Sequence, residues 1–318
     1  MKPDNPLPAP ALSSEATVLG ARGCILYPGT SIPALRKLAA YVELTKPRIT
    51  LLILLVAIAA FWLASPGVPD GRALVNAVAG ISLLAGGIFA LNQYLERDLD
   101  AVMRRTENRP VPAGRLAPGE ALWFGVASSA LAVVWLTWQV NALSGVLALF
   151  TIASYLFLYT PAKTRTPHST LIGAFPGATP PLFGWAAAGG GLSVEAWALF
   201  AILFLWQFPH FHSIAWIYRD DYARAEICMW PVVQPEGQTA GRQIAGFSSL
   251  LFPVSLLPGL LGVCGPVYLG GAAVLGAWLL YRSLRTAWRP TTGQARRLLL
   301  ASVLYLPVLF GLMVLDSR

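Results

Sequence analysis

Asn92, Glu96 and Asp100 recur every fourth residue. On a helix that spacing confines them to a sector of about 80°, so one amide and two carboxylates share a stripe. Such a stripe suits Mg²⁺, which takes a few protein oxygens and keeps its other positions for water and phosphate. Asp98 falls on the opposite side and reads as solvated. Arg104, Arg105 and Arg109 follow, all within 18 residues of Asn92. Metal ligands interleaved with guanidinium groups are what holding a diphosphate requires. The trio alone could be an ordinary polar helix end; the shared face and the arginines argue against that.

Two further clusters carry titratable groups. Tyr159 and Lys163 stand four apart across Pro161, with Arg165 just beyond. Lys163 can neutralise a phosphate oxygen, or it can simply set membrane topology. Trp206, His210 and His212 surround Pro209 near the end of an apolar segment, and Asp220, Asp221 and Arg224 follow. Ionisable groups inside a membrane segment are functional candidates by default, although a histidine can also cap backbone groups that a proline frees. A spacing of two puts His210 and His212 on different helix faces, so they do not chelate one metal together. Asp220 and Asp221 read either as a second metal site facing the first or as solvated loop acids.

The elements that must position these clusters are membrane helices. The 318 residues are 56% hydrophobic and 12% charged, with mean hydropathy +0.59. Soluble domains carry about 25% charged residues, and here the charges are gathered between long apolar runs. A span needs roughly 20 apolar residues, which predicts nine: 48–65, 73–95, 120–140, 143–160, 169–189, 194–216, 243–262, 266–284 and 297–315. Of 23 Lys and Arg residues, only Arg72 and Arg318 fall on one side of that arrangement. The basic side is therefore expected in the cytoplasm, with the N-terminus there and the C-terminus outside. This placement explains the pI near 9.7 without nucleic acid. Cys24, Cys228 and Cys264 lack metal-ligand or disulfide-framework spacing. Residues 1–40, rich in Pro, Ala, Ser and Gly, read as a disordered cytoplasmic tail before a single membrane domain over 41–318. Their weak presequence character favours a bacterial plasma membrane over a mitochondrial inner membrane.

At these residues the chain resembles the UbiA superfamily of intramembrane prenyltransferases, from Leu44-Thr-Lys-Pro-Arg48 to Asp316. Asn92 to Asp100 matches the superfamily's first Asp-rich motif, with Glu96 where most members have Asp. Met103-Arg-Arg-Thr-Glu-Asn-Arg-Pro110 and Tyr159 to Lys163 match two further motifs. Gly177-Ala-Thr-Pro-Pro-Leu-Phe-Gly-Trp185, Trp206 to Phe211, Asp221-Tyr222, Met229, Pro231 and Ala295-Arg-Arg-Leu298 resemble segments of the branch that prenylates heme. Arg224 and Ala225 stand where other branches place another carboxylate, which puts a complete second Mg²⁺ cage in doubt.

The resemblance implies an all-α, polytopic UbiA-like fold, nine helices around a central cavity in the lipid bilayer. It implies farnesyl diphosphate and heme B as substrates and Mg²⁺ as cofactor. The metal would rest on Asn92, Glu96, Asp100, Asp220 and Asp221, with Lys163 also catalytic. Arg104, Arg105, Arg109, Lys163, Arg165 and Arg224 would grip the diphosphate. His210 would contact the heme, with His212, Trp206 and Tyr159 as further candidates. A heme A synthase or oxidase-assembly protein is a potential partner. Sister enzymes acting on a quinone precursor or chlorophyllide share the metal site. A transporter is the non-enzyme alternative, but its acids would sit nearer the bilayer centre than these do.

Overall fold

The computed structural model describes residues 33–317, and among them the fold is all-α. Eight helices are long and apolar enough to cross a membrane. They are α2 (Pro47–Ala64), α3 (Gly71–Leu95), α5 (Pro118–Val140), α6 (Ala142–Ala162), α9 (Val194–Ile217), α12 (Gln238–Leu260), α13 (Pro266–Trp288) and α14 (Thr292–Leu315). The shorter helices are α1 (Pro33–Leu44), α4 (Arg97–Val102), α7 (Ser169–Gly177), α8 (Pro180–Ala187), α10 (Arg219–Arg224) and α11 (Trp230–Val233). Several spans run past the expected apolar core. α12 starts at Gln238, α13 continues to Trp288, and α14 begins at Thr292. Their added turns carry Arg242, Arg285 and Arg296, all exposed, and long basic side chains at such ends can reach water from the edge of the apolar layer.

The fifth expected span, 169–189, is the broken pair α7 and α8. Pro180 and Pro181 have no N–H to continue the ladder. Side chains satisfy the backbone there: Thr179 Oγ1 donates to the Pro176 carbonyl at 2.8 Å, and Gln207 Nε2 donates to the Ala174 carbonyl at 3.0 Å. Irregular backbone at membrane depth is tolerated where protein buries it, and Ala178, Thr179 and Pro180 are buried.

The expected tail needs correction at its end. Residues 33–40 form the first turns of α1, whose Ala40 and Leu44 are buried against Ala90, Val111 and Leu116. The remainder of the tail with Cys24, and Arg318, lie outside the described residues.

α3 packs on α5, α2 on α8, and α9 on α12 and α14, with α13 completing the second half. Lipid is as apolar as leucine, so close packing rather than water exclusion holds such helices together. Gly184 shows how close: a Cβ there would overlap the Ala57 carbonyl of α2. The two ends of the bundle differ chemically. The basic loops touch one another, as where Arg115 pairs with Glu43 at 2.5 Å. At the other end Trp62 Nε1 donates to Ser317 Oγ at 3.3 Å, and the Gly265 N–H donates to the Asp316 carbonyl at 2.8 Å. Gly184→Val should therefore force α2 from α8 and cost about 1–3 kcal/mol. Thermal unfolding in detergent measures it; an unchanged midpoint would mean the contact relaxes freely.

Candidate functional site

The oxygen-bearing stripe crosses a helix junction. α3 ends at Leu95 and α4 starts at Arg97, with Glu96 between them at φ −98° and ψ 10°. The ladder nevertheless continues: the Glu96 N–H donates to the Asn92 carbonyl at 2.9 Å and the Asp100 N–H to the Glu96 carbonyl at 2.7 Å. Asn92, Glu96 and Asp100 consequently stay aligned, and all three are buried, at 2%, 7% and 1% exposure. Asp98 lies on the other side, exposed beside Arg97.

Each member of the stripe meets a cation from a different segment. Lys46 Nζ, just ahead of α2, donates to Asn92 Oδ1 at 3.3 Å. Lys163 Nζ, just beyond α6, donates to Glu96 Oε1 at 2.6 Å. Arg109 Nη1 donates to Asp100 Oδ1 and Oδ2 at 2.7 and 2.6 Å. Burial would lower Lys163, but the Glu96 carboxylate, with Tyr159 and Tyr155, raises it above the usual lysine range. Lys46 behaves oppositely: burial, then the Arg109 and Lys163 charges, pull it down to about 7. In the sequence Lys46 stands out only as one of the basic-side charges and as part of the Leu44-Thr-Lys-Pro-Arg48 segment. The signal that could have singled it out is its place before Pro47, at a turn where Lys46 adopts φ 49°. That left-handed backbone is uncommon for a residue with a side chain.

The second acidic loop docks on the first. Arg105 Nη2 donates to Tyr222 Oη at 3.0 Å, and its guanidinium lies 5.1 and 5.5 Å from the Tyr218 and Tyr222 ring centres. Met103, Ala225 and Ile227 form a small apolar cluster beneath that contact. The Cys228 N–H donates to the Lys163 carbonyl at 2.7 Å, tying the same loop to the end of α6. Asp221 pairs with Arg224, whereas the Asp220 side chain is exposed beside Arg219. Asp220 therefore does not face the stripe. Arg104 and Arg165 are exposed and take no part in these contacts.

The two histidines part as their spacing requires. His210 Nδ1 is 2.9 Å from Ser302 Oγ, and its ring stacks 4.5 Å from Trp206, whose Nε1 donates to the Ser302 carbonyl at 2.8 Å. Ser302 Oγ spends its own hydrogen on the Leu299 carbonyl at 2.7 Å. The pattern assigns the ring proton to Nδ1 and leaves the His210 Nε2 lone pair available. His212 is fully buried with Nε2 2.7 Å from Gln243 Oε1. Tyr159 lies under Lys163, whose Nζ is 4.6 Å from the ring centre. A cleft of about 670 Å³ opens between α2, α3 and α5, lined by Thr45, Pro47, Gly86 and Trp135 but by no residue of the stripe.

Residues 53–306 match the profile of the UbiA prenyltransferase family. The chain belongs to that family. Among its UbiA-family relatives is the protoheme IX farnesyltransferase of Solibacter usitatus, 53% identical over 285 residues that cover 87% of this chain and 98% of the relative. The protoheme IX farnesyltransferase of Koribacter versatilis is 46% identical, covering 87% and 92%. Solved structures share the fold. A UbiA homologue from Aeropyrum pernix K1 superposes with TM-score 0.67 at 20% identity, covering 84% of this chain and 97% of that one. One from Archaeoglobus fulgidus, bound to DMAPP and Mg²⁺, superposes with TM-score 0.60 at 14% identity, covering 86% and 98%. Eight membrane-length helices and UbiA family membership make the protein an integral membrane protein.

The stripe's donors, two carboxylates and an amide oxygen, are of the chemical kind that a hard divalent ion takes. Among the described residues no three His, Cys, Asp or Glu side chains are grouped so that they could hold an ion. Breaking one buried pair exposes how far the pairs hold the site together. In metal-free protein Glu96→Gln leaves Lys163 without its carboxylate, which should cost about 3–5 kcal/mol. Unfolding followed by tryptophan fluorescence checks it, and wild-type stability would show that water reaches Lys163 freely.

Proposed function

We propose that this chain transfers the farnesyl group of farnesyl diphosphate to a vinyl group of heme B, giving heme O and free diphosphate. The observation that carries the site assignment is the buried stripe Asn92, Glu96 and Asp100, met by Lys46, Lys163 and Arg109 from three separate segments. The identity of the substrates rests on the relatives at 46–53% identity.

Asn92 Oδ1 and the Glu96 and Asp100 carboxylates would hold Mg²⁺, which when bound supplies charge neutralisation for the departing diphosphate. Arg109 and Lys163, which hold the Asp100 and Glu96 carboxylates, would stabilise the negative charge that grows on the phosphate oxygens. Asp221 and Arg224 close the second side of the head-group site, with Asp220 left in solvent. The allylic C–O bond breaks and its electron pair leaves with diphosphate. The vinyl π electrons form the new carbon–carbon bond, and the cation next to the porphyrin takes up water and releases a proton. Apolar surroundings keep water from the allylic centre until the vinyl group has reacted. His210 offers an unprotonated Nε2 with its ring fixed by Ser302 and Trp206, an arrangement suited to an axial bond to heme iron. His212 is closed in by Gln243. The basic end faces the cytoplasm of a bacterial plasma membrane, so the diphosphate is taken up from and returned to that side.

Heme B, farnesyl diphosphate and Mg²⁺ incubated with the purified protein should yield a farnesylated, hydroxylated heme by mass. EDTA should abolish it, and Asp100→Asn should slow it about a hundred-fold or more. Product from a quinone precursor or chlorophyllide, with none from heme, would reassign the acceptor. His210→Ala should weaken heme binding about ten-fold and change the heme absorption spectrum without altering diphosphate binding. An unchanged spectrum and affinity would remove His210 from the heme site.

A further inference from the structure

The buried head-group cluster is unbalanced. Three cations, Lys46, Lys163 and Arg109, face two carboxylates, Glu96 and Asp100. Lys163 and Arg109 each hold a carboxylate, whereas Lys46 has only the neutral amide of Asn92, at 3.3 Å, and the Phe89 ring, 4.9 Å from its Nζ. Long basic side chains at a membrane edge ordinarily reach outward to water and lipid head groups, as the exposed Arg48 does two residues later. Lys46 is turned inward by its left-handed backbone and by Pro47 at the first position of α2. Lys46 is half-buried and feels the Glu96 and Asp100 carboxylates only through space, with neither in contact, so an anion brought into contact would stabilise it. Asn92 Nδ2, on the same buried side chain, has no hydrogen-bond partner among the described residues. Cation and amide together form a cradle that lacks an anionic oxygen.

We propose that Lys46 is a third cation of the diphosphate site, passing from Asn92 to a diphosphate oxygen when the substrate binds. This rests on the reading of the stripe as the head-group site. The exchange also frees Asn92 Oδ1, so the amide becomes available as a metal ligand in the step that gives Lys46 its anion. Charge balance agrees: a prenyl diphosphate with three negative charges and one divalent ion brings a net single negative charge. That cancels the excess of the three cations over the two carboxylates. Lys46 thus joins Arg109 and Lys163 as a substrate ligand supplied from the entrance to α2, a segment outside both acidic loops.

Titration of the full-length protein in detergent with inorganic diphosphate at saturating Mg²⁺, followed by calorimetry, tests this. Lys46→Gln keeps a donor for Asn92 but loses the charge, and should weaken diphosphate binding about ten- to a hundred-fold. Lys46→Arg should restore most of it. Thermal unfolding of both variants, run alongside, separates a loss of fold from a loss of charge: a weakened Lys46→Gln with a wild-type midpoint and rescue by Arg supports the proposal. If Lys46→Gln binds as tightly as wild type, or if Lys46→Arg binds as poorly as Lys46→Gln while both fold normally, Lys46 is not a diphosphate ligand. Wild-type protein that takes up no diphosphate overturns instead the reading of the stripe itself.

Discussion

Charge buried at the edge of a bilayer must be matched by opposite charge, and this constraint organises the basic end of the protein. Asp100 and Glu96 are almost wholly enclosed. An isolated carboxylate there would be untenable, so Arg109 and Lys163 are drawn onto them. Because those partners come from the loop after α4 and from the end of α6, the pairs also tie together segments far apart in sequence. Close packing sets how the apolar helices lie on one another; the ion pairs join their basic ends across segments that this packing leaves apart.

The same pairs hold the site in readiness. On the proposed reading, each cation now resting on a stripe oxygen is one that a diphosphate would recruit. When an ion takes the carboxylates, the cations lose their partners at the moment a substrate offers new ones. On that reading, binding of ion and diphosphate would be linked through this exchange of partners. Glu96 fits this arrangement. It sits where α3 gives way to α4, and its extra methylene gives the carboxylate reach across to Lys163.

Much of this was legible in the sequence because it depends on local periodicity. The stripe at Asn92, Glu96 and Asp100 follows from spacing of four, and the helix junction at Glu96 leaves it intact because the hydrogen-bond ladder runs through. The divergence of His210 and His212 follows equally from spacing of two. Long-range pairing was not legible. Nothing local to Lys46 says that it meets Asn92 instead of lipid head groups, and nothing in Asp220-Asp221 says which carboxylate turns outward. The break between α7 and α8 was written in Pro180 and Pro181, but an apolar run of span length concealed it. Helical residues 33–40 were missed because their amphipathic pattern is short and α1 gains its order by packing on Ala90 and Leu116.

The contact that joins the two acidic loops is of another kind from those beneath it. Arg105 lies against two tyrosine rings and shares one neutral hydrogen bond. An exposed cation–aromatic contact is worth only about 0.5–1 kcal/mol. The contact between the two acidic loops is thus a weak latch, whereas the neighbouring ion pairs of Asp100 and Glu96 are strong ties. On the proposed reading, a charged product would depart toward water by parting these loops while the ion pairs keep their geometry for the next turnover.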